Sequence, residues 1–324
     1  MPYTRRVLQR AKARLEEDKR KKQNEYQAHL EQAYAMRPRL REIDRALQST
    51  AANAIALCLG KGEDPRPAIE KLKQENLALQ NERQWILDEA EFGDDFLDDS
   101  PVCSVCGGTG YVGSEMCECL HELCRQEQKR ELSALLGTGK ERFEHFRLDF
   151  YPDRYDPGVR TTARAMMQIN LNKCKRYAAG FRPGADSLLF SGATGLGKTF
   201  LSACIARQVT DLGYSVVYVS ASKLFADYEA VKFERMDASE VEDYENCDLL
   251  ILDDLGTEMT TQFVISALYE IVNTRLLQHR ATLISTNLGA EELEARYRGP
   301  IASRLLGSYE LVYFVGDDIR KKLR

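Results

Sequence analysis

Residues 187–200 read SLLFSGATGLGKTF. Ser187, Leu188, Leu189 and Phe190 make an apolar run of the length of a buried strand. Gly192, Ala193, Thr194, Gly195, Leu196, Gly197, Lys198 and Thr199 follow, fitting G-x-x-x-x-G-K-[ST], and Phe200 opens an apolar helical stretch that reaches residue 209. Strand, Gly-rich loop and helix in that order are the context a phosphate-binding loop requires. Gly192, Gly195 and Gly197 permit backbone conformations closed to residues with a Cβ, so successive N–H groups can turn inward around phosphate oxygens at a helix N-terminus. Lys198 then neutralises the β- and γ-phosphates and Thr199 holds Mg²⁺. The segment predicts a nucleoside triphosphate site cradled by residues 192–200.

Working outward, the sequence around this loop alternates short apolar strands with helical crossovers. The strands are expected at residues 188–190, 215–220 (SVVYVS), 248–252 (DLLIL), 282–286 (TLIST) and 311–315 (LVYFV). That alternation argues for an α/β fold with a parallel sheet covered on both faces. The third strand delivers Asp253 and Asp254 to the carboxyl edge of the sheet, where ligands bind in such folds. Asp253 is expected to accept a hydrogen bond from Mg²⁺-bound water opposite Thr199, and Asp254 to orient or deprotonate the attacking water. The fourth strand ends at Thr286 and places Asn287 beside the same edge, where its amide can hold the lytic water or touch the γ-phosphate. Arg304, in the helical IASRLL, and Arg320, in DDIRKK, are candidates for charge supplied to a transition-state phosphoryl group. The constellation predicts hydrolysis of ATP.

The N-terminal part has a different character. Residues 1–90 are rich in Glu, Lys, Arg, Gln, Ala and Leu with almost no Gly, a helix-forming composition. Tyr26, Leu30, Ala33, Leu40, Ile43 and Leu47 follow a narrow apolar stripe with Pro38 as a break or kink, and Ile69, Leu72, Leu79 and Ile86 form a second stripe after a turn at residues 60–65. An antiparallel helical hairpin is expected, extended enough to be an arm that binds a partner. Residues 1–48 carry thirteen Lys and Arg against seven Asp and Glu, whereas residues 88–99 carry seven acids and no base. The basic arm suits a contact with a phosphate backbone or a partner, or simply a solvated face. Cys103 and Cys106, then Cys117 and Cys119, flank a Gly-rich turn. Two close thiol pairs joined this way suit a tetrahedral Zn²⁺ site of structural kind, with His121 or Cys124 as substitute ligands because Cys117 and Cys119 are spaced by one residue; a disulfide pair or redox thiols are the alternatives. Cys58, Cys174, Cys204 and Cys247 read as inert core thiols.

The chain has 324 residues, 44% hydrophobic and 29% charged, with a net charge of −5. A soluble cytoplasmic protein without a membrane span or secretory leader is expected from it. Three regions are expected: residues 1–100 as a helical N-terminal region, 101–139 as a zinc module and linker helix with a break at residues 137–139, and 140–324 as the ATPase domain.

From about residue 143 onward the motifs GATGLGKT, LLILDDLGTE, STN, IASRLLG and DIRKK, in that order, resemble the AAA+ ATPases, and within them the bacterial replicative-helicase loaders of the DnaC/DnaI kind and their IstB-like relatives. The resemblance implies a five-stranded sheet in the order 5-1-4-3-2 with no C-terminal helical lid. It implies that Lys198 and Thr199 are the Walker A pair, Asp253 and Asp254 the Walker B pair, Asn287 the first sensor, Arg304 an arginine finger offered to a neighbouring subunit and Arg320 the second sensor. Many AAA+ proteins carry Glu where this chain has Asp254, one methylene shorter. The implied partners are a replicative hexameric DNA helicase, gripped by the helical and zinc-bearing N-terminal region, single-stranded DNA, and further copies of the chain through the ATP sites. The rival readings are an IstB-like helper in DNA transposition and a small-molecule kinase. Asp254 and Asn287, suited to activating water, speak against the kinase.

Overall fold

The computed structural model describes residues 3–59, 66–90, 96–136, 141–157 and 160–322. The expected turn at residues 60–65, the Gly137 and Gly139 break and the side chain of Cys58 lie outside them. The chain divides into two compact units, residues 14–117, and residues 1–13 together with 118–324.

Helix α1 (Arg5–Met36), which belongs to the first unit from Arg14 onward, ends just before Pro38, and α2 (Pro38–Leu59) starts on it. Proline at the first helical position has no N–H that the helix needs, so it begins a helix more readily than it bends one. Of the break or kink expected at Pro38, it is the break, a boundary between two helices. Helix α3 (Arg66–Glu89) follows, and Ala33, Leu40, Ile43 and Ile86 bury one another in a small core, as the two stripes require. Arg83 donates to Asp44 across α2 and α3 at 2.8 Å. A two-stranded hairpin of β1 (Tyr111–Val112) and β2 (Glu115–Met116) closes the unit.

The second unit opens with α4 (Glu118–Leu136) and a short hairpin, β3 (Tyr155–Asp156) with β4 (Thr161–Thr162). Helix α5 (Ala163–Ala179), capped by the Thr162 hydroxyl, leads into β5 (Ser187–Ser191), every residue of which is buried. There follow α6 (Lys198–Asp211), β6 (Val216–Ser220), α7 (Ala221–Lys232), α8 (Ser239–Asn246), β7 (Leu249–Leu255), α9 (Gln262–Leu277), β8 (Ala281–Thr286), α10 (Ala290–Ser308) and β9 (Tyr309–Tyr313). The strands form one parallel sheet in the order β6-β7-β8-β5-β9. Counted from β5 and read from the other edge this is 5-1-4-3-2, the expected order.

Period-two alternation divides the sheet residues between two cores. Leu249 and Ile251 of β7 face Leu201, Cys204 and Ile205 of α6 with Met167 and Leu171 of α5. Leu250, Leu252 and Leu255 face Leu224 of α7, Leu268 and Ile271 of α9 and Tyr297 of α10. Strand β9 begins two residues earlier than expected because α10 runs straight into it and Tyr309 is buried. Among the described residues, no helix is long and apolar enough to cross a membrane.

Candidate nucleotide site and cysteine cluster

The loop between β5 and α6 lies at the carboxyl edge of the sheet. Gly197 is the N-cap of α6, with φ +88°. Gly195 has φ +81°, and a Cβ there would fall 1.8 Å from Asp318 Oδ1, so both backbone and space demand glycine. The same contact shows what closes the loop from above. Ile319 N donates to Gly195 O at 3.0 Å, seating the 3-10 turn Ile319–Lys322 on the loop. From below, Tyr151 donates its hydroxyl to Leu196 O at 2.8 Å.

Lys198 is 5% exposed and donates from Nζ to the carbonyls of Gly192 (2.7 Å) and Ala193 (2.9 Å). Burial holds its pKa below the ordinary lysine value, partly offset by Asp254 and Asp253. Loss of hydration makes a counter-anion worth more at this ammonium than it is at a surface lysine.

Opposite the loop, β7 carries an irregularity in its pairing with β8 between Leu252 and Leu255. Asp253 and Asp254 occupy it. In a regular strand successive side chains point to opposite faces, but here Asp254 takes φ +56° and both acids line one cleft. Ser285 Oγ anchors the irregularity, accepting from Asp254 N at 3.0 Å and donating to Asp253 Oδ1. Asp253 also receives the Thr199 hydroxyl on Oδ1 at 3.4 Å and the Tyr218 hydroxyl on Oδ2 at 2.7 Å. Asp254 opens to the cleft, yet the walls strip enough water from it to raise its pKa, helped by the charge of Asp253 and opposed by Lys198 and Arg320.

The cleft has a volume of about 1380 Å³. Thr194, Gly195, Leu196, Gly197, Lys198, Thr199, Phe200, Asp253, Asp254 and Arg320 all line it, whereas Gly192 and Ala193 contribute through their carbonyls. Arg320 pairs with Asp318, Nε to Oδ1 at 3.1 Å. Asn287 and Arg304 are elsewhere. Asn287 is exposed just past β8, close enough to Gly256 that a Cβ there would meet its Oδ1 at 3.2 Å. Arg304 is held on α9: Nε donates to Asn273 Oδ1 at 3.1 Å, a terminal nitrogen donates to the Tyr269 hydroxyl at 3.0 Å, and the guanidinium lies 4.7 Å from the Tyr269 ring centroid. Sequence reading missed Tyr151, Tyr218, Ser285 and Asp318 as parts of the site. Only Tyr218 carried a signal, a phenol in an otherwise apolar strand pattern.

The donor set fits a nucleotide with Mg²⁺: backbone N–H groups at a helix start, a buried lysine, and a threonine hydroxyl beside a carboxylate. The cysteines fit Zn²⁺. The sulfurs of Cys103, Cys106, Cys117 and Cys119 all lie within 4.8 Å of one another, and Cys103 Sγ is 3.8 Å from Cys117 Sγ, close to the roughly 3.8 Å edge of a tetrahedron of Zn–S bonds. Gly110 N donates to Cys106 Sγ at 3.3 Å, a contact of the kind that supports a sulfur ligand in a tight turn. His121 and Cys124 lie outside the cluster. Nδ1 of His121 is 3.3 Å from the Tyr3 hydroxyl, and burial pushes the Cys124 thiol up to about 11.

Residues 171–324 match the family described as IstB-like ATP binding protein. That stretch, a little under half of the chain, is similar to this family. Over 161 residues the chain is 28% identical to the replicative helicase loader DnaC of Escherichia coli (strain K12), covering 48% of this chain and 65% of that protein. It is 27% identical over 153 residues to the DnaC of Buchnera aphidicola subsp. Baizongia pistaciae, covering 46% of this chain and 62% of that one. The chain thus spans a little under two thirds of the length of these relatives. A crystal structure of the DnaC helicase loader covers 53% of this chain and 98% of its own, at 21% identity and a TM-score of 0.45. The matched residues include the whole of the loop, acid pair and C-terminal turn described above.

Proposed function

We propose that this protein is an ATPase that loads the replicative DNA helicase, gripping the hexameric helicase with its N-terminal region and releasing it as nucleotide state changes. The observation that carries the ATPase reading is the single cleft that gathers Lys198, Thr199, Asp253, Asp254 and Arg320. The similarity of this domain to replicative helicase loaders supports the partner. In this reading Lys198 leaves the carbonyls of Gly192 and Ala193 and pairs with the β- and γ-phosphates. Thr199 and Asp253 would hold Mg²⁺, which when bound neutralises charge on the phosphates. Asp254 takes a proton from the attacking water, its raised pKa favouring that transfer. Asn287 holds that water once the loop carrying it closes, and Arg320 stabilises phosphoryl charge from within the subunit. Arg304, on a different face, serves the nucleotide of an adjacent copy, and single-stranded DNA binds the assembled form. The four cysteines hold a structural Zn²⁺ with no open position for catalysis. The protein works in the cytoplasm.

The family match favours a second reading, an ATP-dependent helper in DNA transposition of the IstB kind. Co-purification from the native cell with ATP and Mg²⁺ separates the two. Recovery of a hexameric helicase supports loading. Recovery of a transposase, without helicase, replaces it with the helper.

A further inference from the structure

Asp253 receives three side-chain hydrogen bonds, and one of its donors comes from an unexpected place. Thr199 and Ser285 reach Oδ1 from the phosphate loop and from β8, but among the described residues Oδ2 is reached from the edge strand β6, by Tyr218 at 2.7 Å. The register explains why a tyrosine is needed. Ser220 is the parallel partner of Asp253, and Tyr218 is the partner of Ile251, so Tyr218 stands diagonally from the acid, two residues away along the strand. Such a diagonal separation is about 7–8 Å between backbones, within reach of an aromatic side chain and beyond a serine or threonine. The Tyr218 ring packs against the core beneath α6 while its hydroxyl emerges into the cleft.

A carboxylate has about four acceptor positions. With Tyr218 on Oδ2 and Ser285 on Oδ1 the plane of the Asp253 carboxyl is fixed, and the acceptor position left on Oδ1 faces the Thr199 hydroxyl. We infer that Tyr218 is a positioning residue: its hydroxyl orients Asp253 toward Thr199 and thereby sets the affinity of the cleft for the metal of a metal–nucleotide complex. The inference rests on the nucleotide reading of the cleft. It assigns to β6 a part in metal binding that the loop and acid motifs alone do not contain, and it separates metal affinity from nucleotide affinity.

The test is Tyr218→Phe in the full chain, which keeps the ring in its packing and removes the donor. Binding of a fluorescent ATP analogue is measured with EDTA and across a Mg²⁺ titration, alongside thermal melting. The expected result is an unchanged melting temperature and unchanged metal-free affinity, with the Mg²⁺ concentration for half-maximal enhancement raised on the order of tenfold, as loss of a hydrogen bond to a charged group implies. Turnover should recover at high Mg²⁺. A Mg²⁺ dependence identical to wild type overturns the inference while leaving the nucleotide reading intact. Equal weakening with and without Mg²⁺ also overturns it, since that marks a merely structural tyrosine. Failure of the wild-type protein to bind the analogue in any condition removes the nucleotide reading and the inference together.

Discussion

Two carbonyls, those of Gly192 and Ala193, hold the Lys198 ammonium where phosphate oxygens belong. Exchange of neutral acceptors for charged ones is the source of its affinity, so Lys198→Ala should weaken ATP binding by about a hundredfold, read directly by equilibrium titration. Asp254→Asn should leave that affinity nearly unchanged and slow hydrolysis by on the order of 10²–10⁴, the range for a general base. A pH series adds an independent check. As the proposed base Asp254 must be deprotonated, and its pKa is raised by burial and by Asp253, so hydrolysis should fall on acidification at a pH above that of an ordinary carboxylate, about 3.9, and this limb should vanish in Asp254→Asn. A limb at the ordinary position would deny Asp254 the role. Lys198, Thr199, Asp253 and Asp254 were legible in the sequence because a phosphate loop and a strand-end acid pair are local patterns. Tyr151, Tyr218, Ser285 and Asp318 were not, because each meets its partner through strand register or loop closure across tens of residues, and no spacing in the chain encodes that.

Elements were legible to the extent that their signals were periodic. The five strands, their parallel direction and the two covered faces followed from short hydrophobic runs between helical crossovers, and the strand order from the family resemblance, while the start of β9 and the role of Pro38 turned on how one element abuts the next. The loop between β5 and α6 gives a test at this scale. Gly195→Val should lose nucleotide binding and lower stability by about 1–3 kcal/mol, because the position combines left-handed backbone with Asp318 where a Cβ would stand. Retained binding in a calorimetric titration would show that the loop can relax away from the C-terminal turn. The cysteine cluster gives another. Purified protein should contain about one zinc per chain, and a strong chelator should release it, expose the four thiols to titration and unfold the hairpin of β1 and β2 while the unit bearing the five-stranded sheet keeps its cooperative melt. Metal analysis without zinc, with all thiols freely reactive, would leave the cluster as a set of reduced cysteines.

At the scale of the whole molecule the question is how many copies act together. Arg304 is tied to Asn273 and Tyr269 on its own α9 and does not line its own cleft. If it serves an adjacent subunit, Arg304→Ala protein mixed with Lys198→Ala protein should regain part of the activity that each lacks alone, because some mixed interfaces pair an intact cleft with an intact arginine. Loss of the arginine should cost on the order of a thousandfold in turnover with ATP affinity kept. No recovery on mixing, with specific activity independent of protein concentration, would return Arg304 to its own subunit and end the assembly reading. Asp254 bears on the molecule as a whole in another way. Its left-handed backbone and its place beside a second negative charge are both unfavourable to the folded chain, and aspartate tolerates the first only moderately. Asparagine suits that backbone at least as well and carries no charge, so the inactive Asp254→Asn protein should melt about 2–4 °C above wild type. If Asp254 is the base proposed above, a chain under selection for heat resistance alone would drift toward that substitution and lose its turnover, and the acid at this position would mark the thermal endurance given up for catalysis.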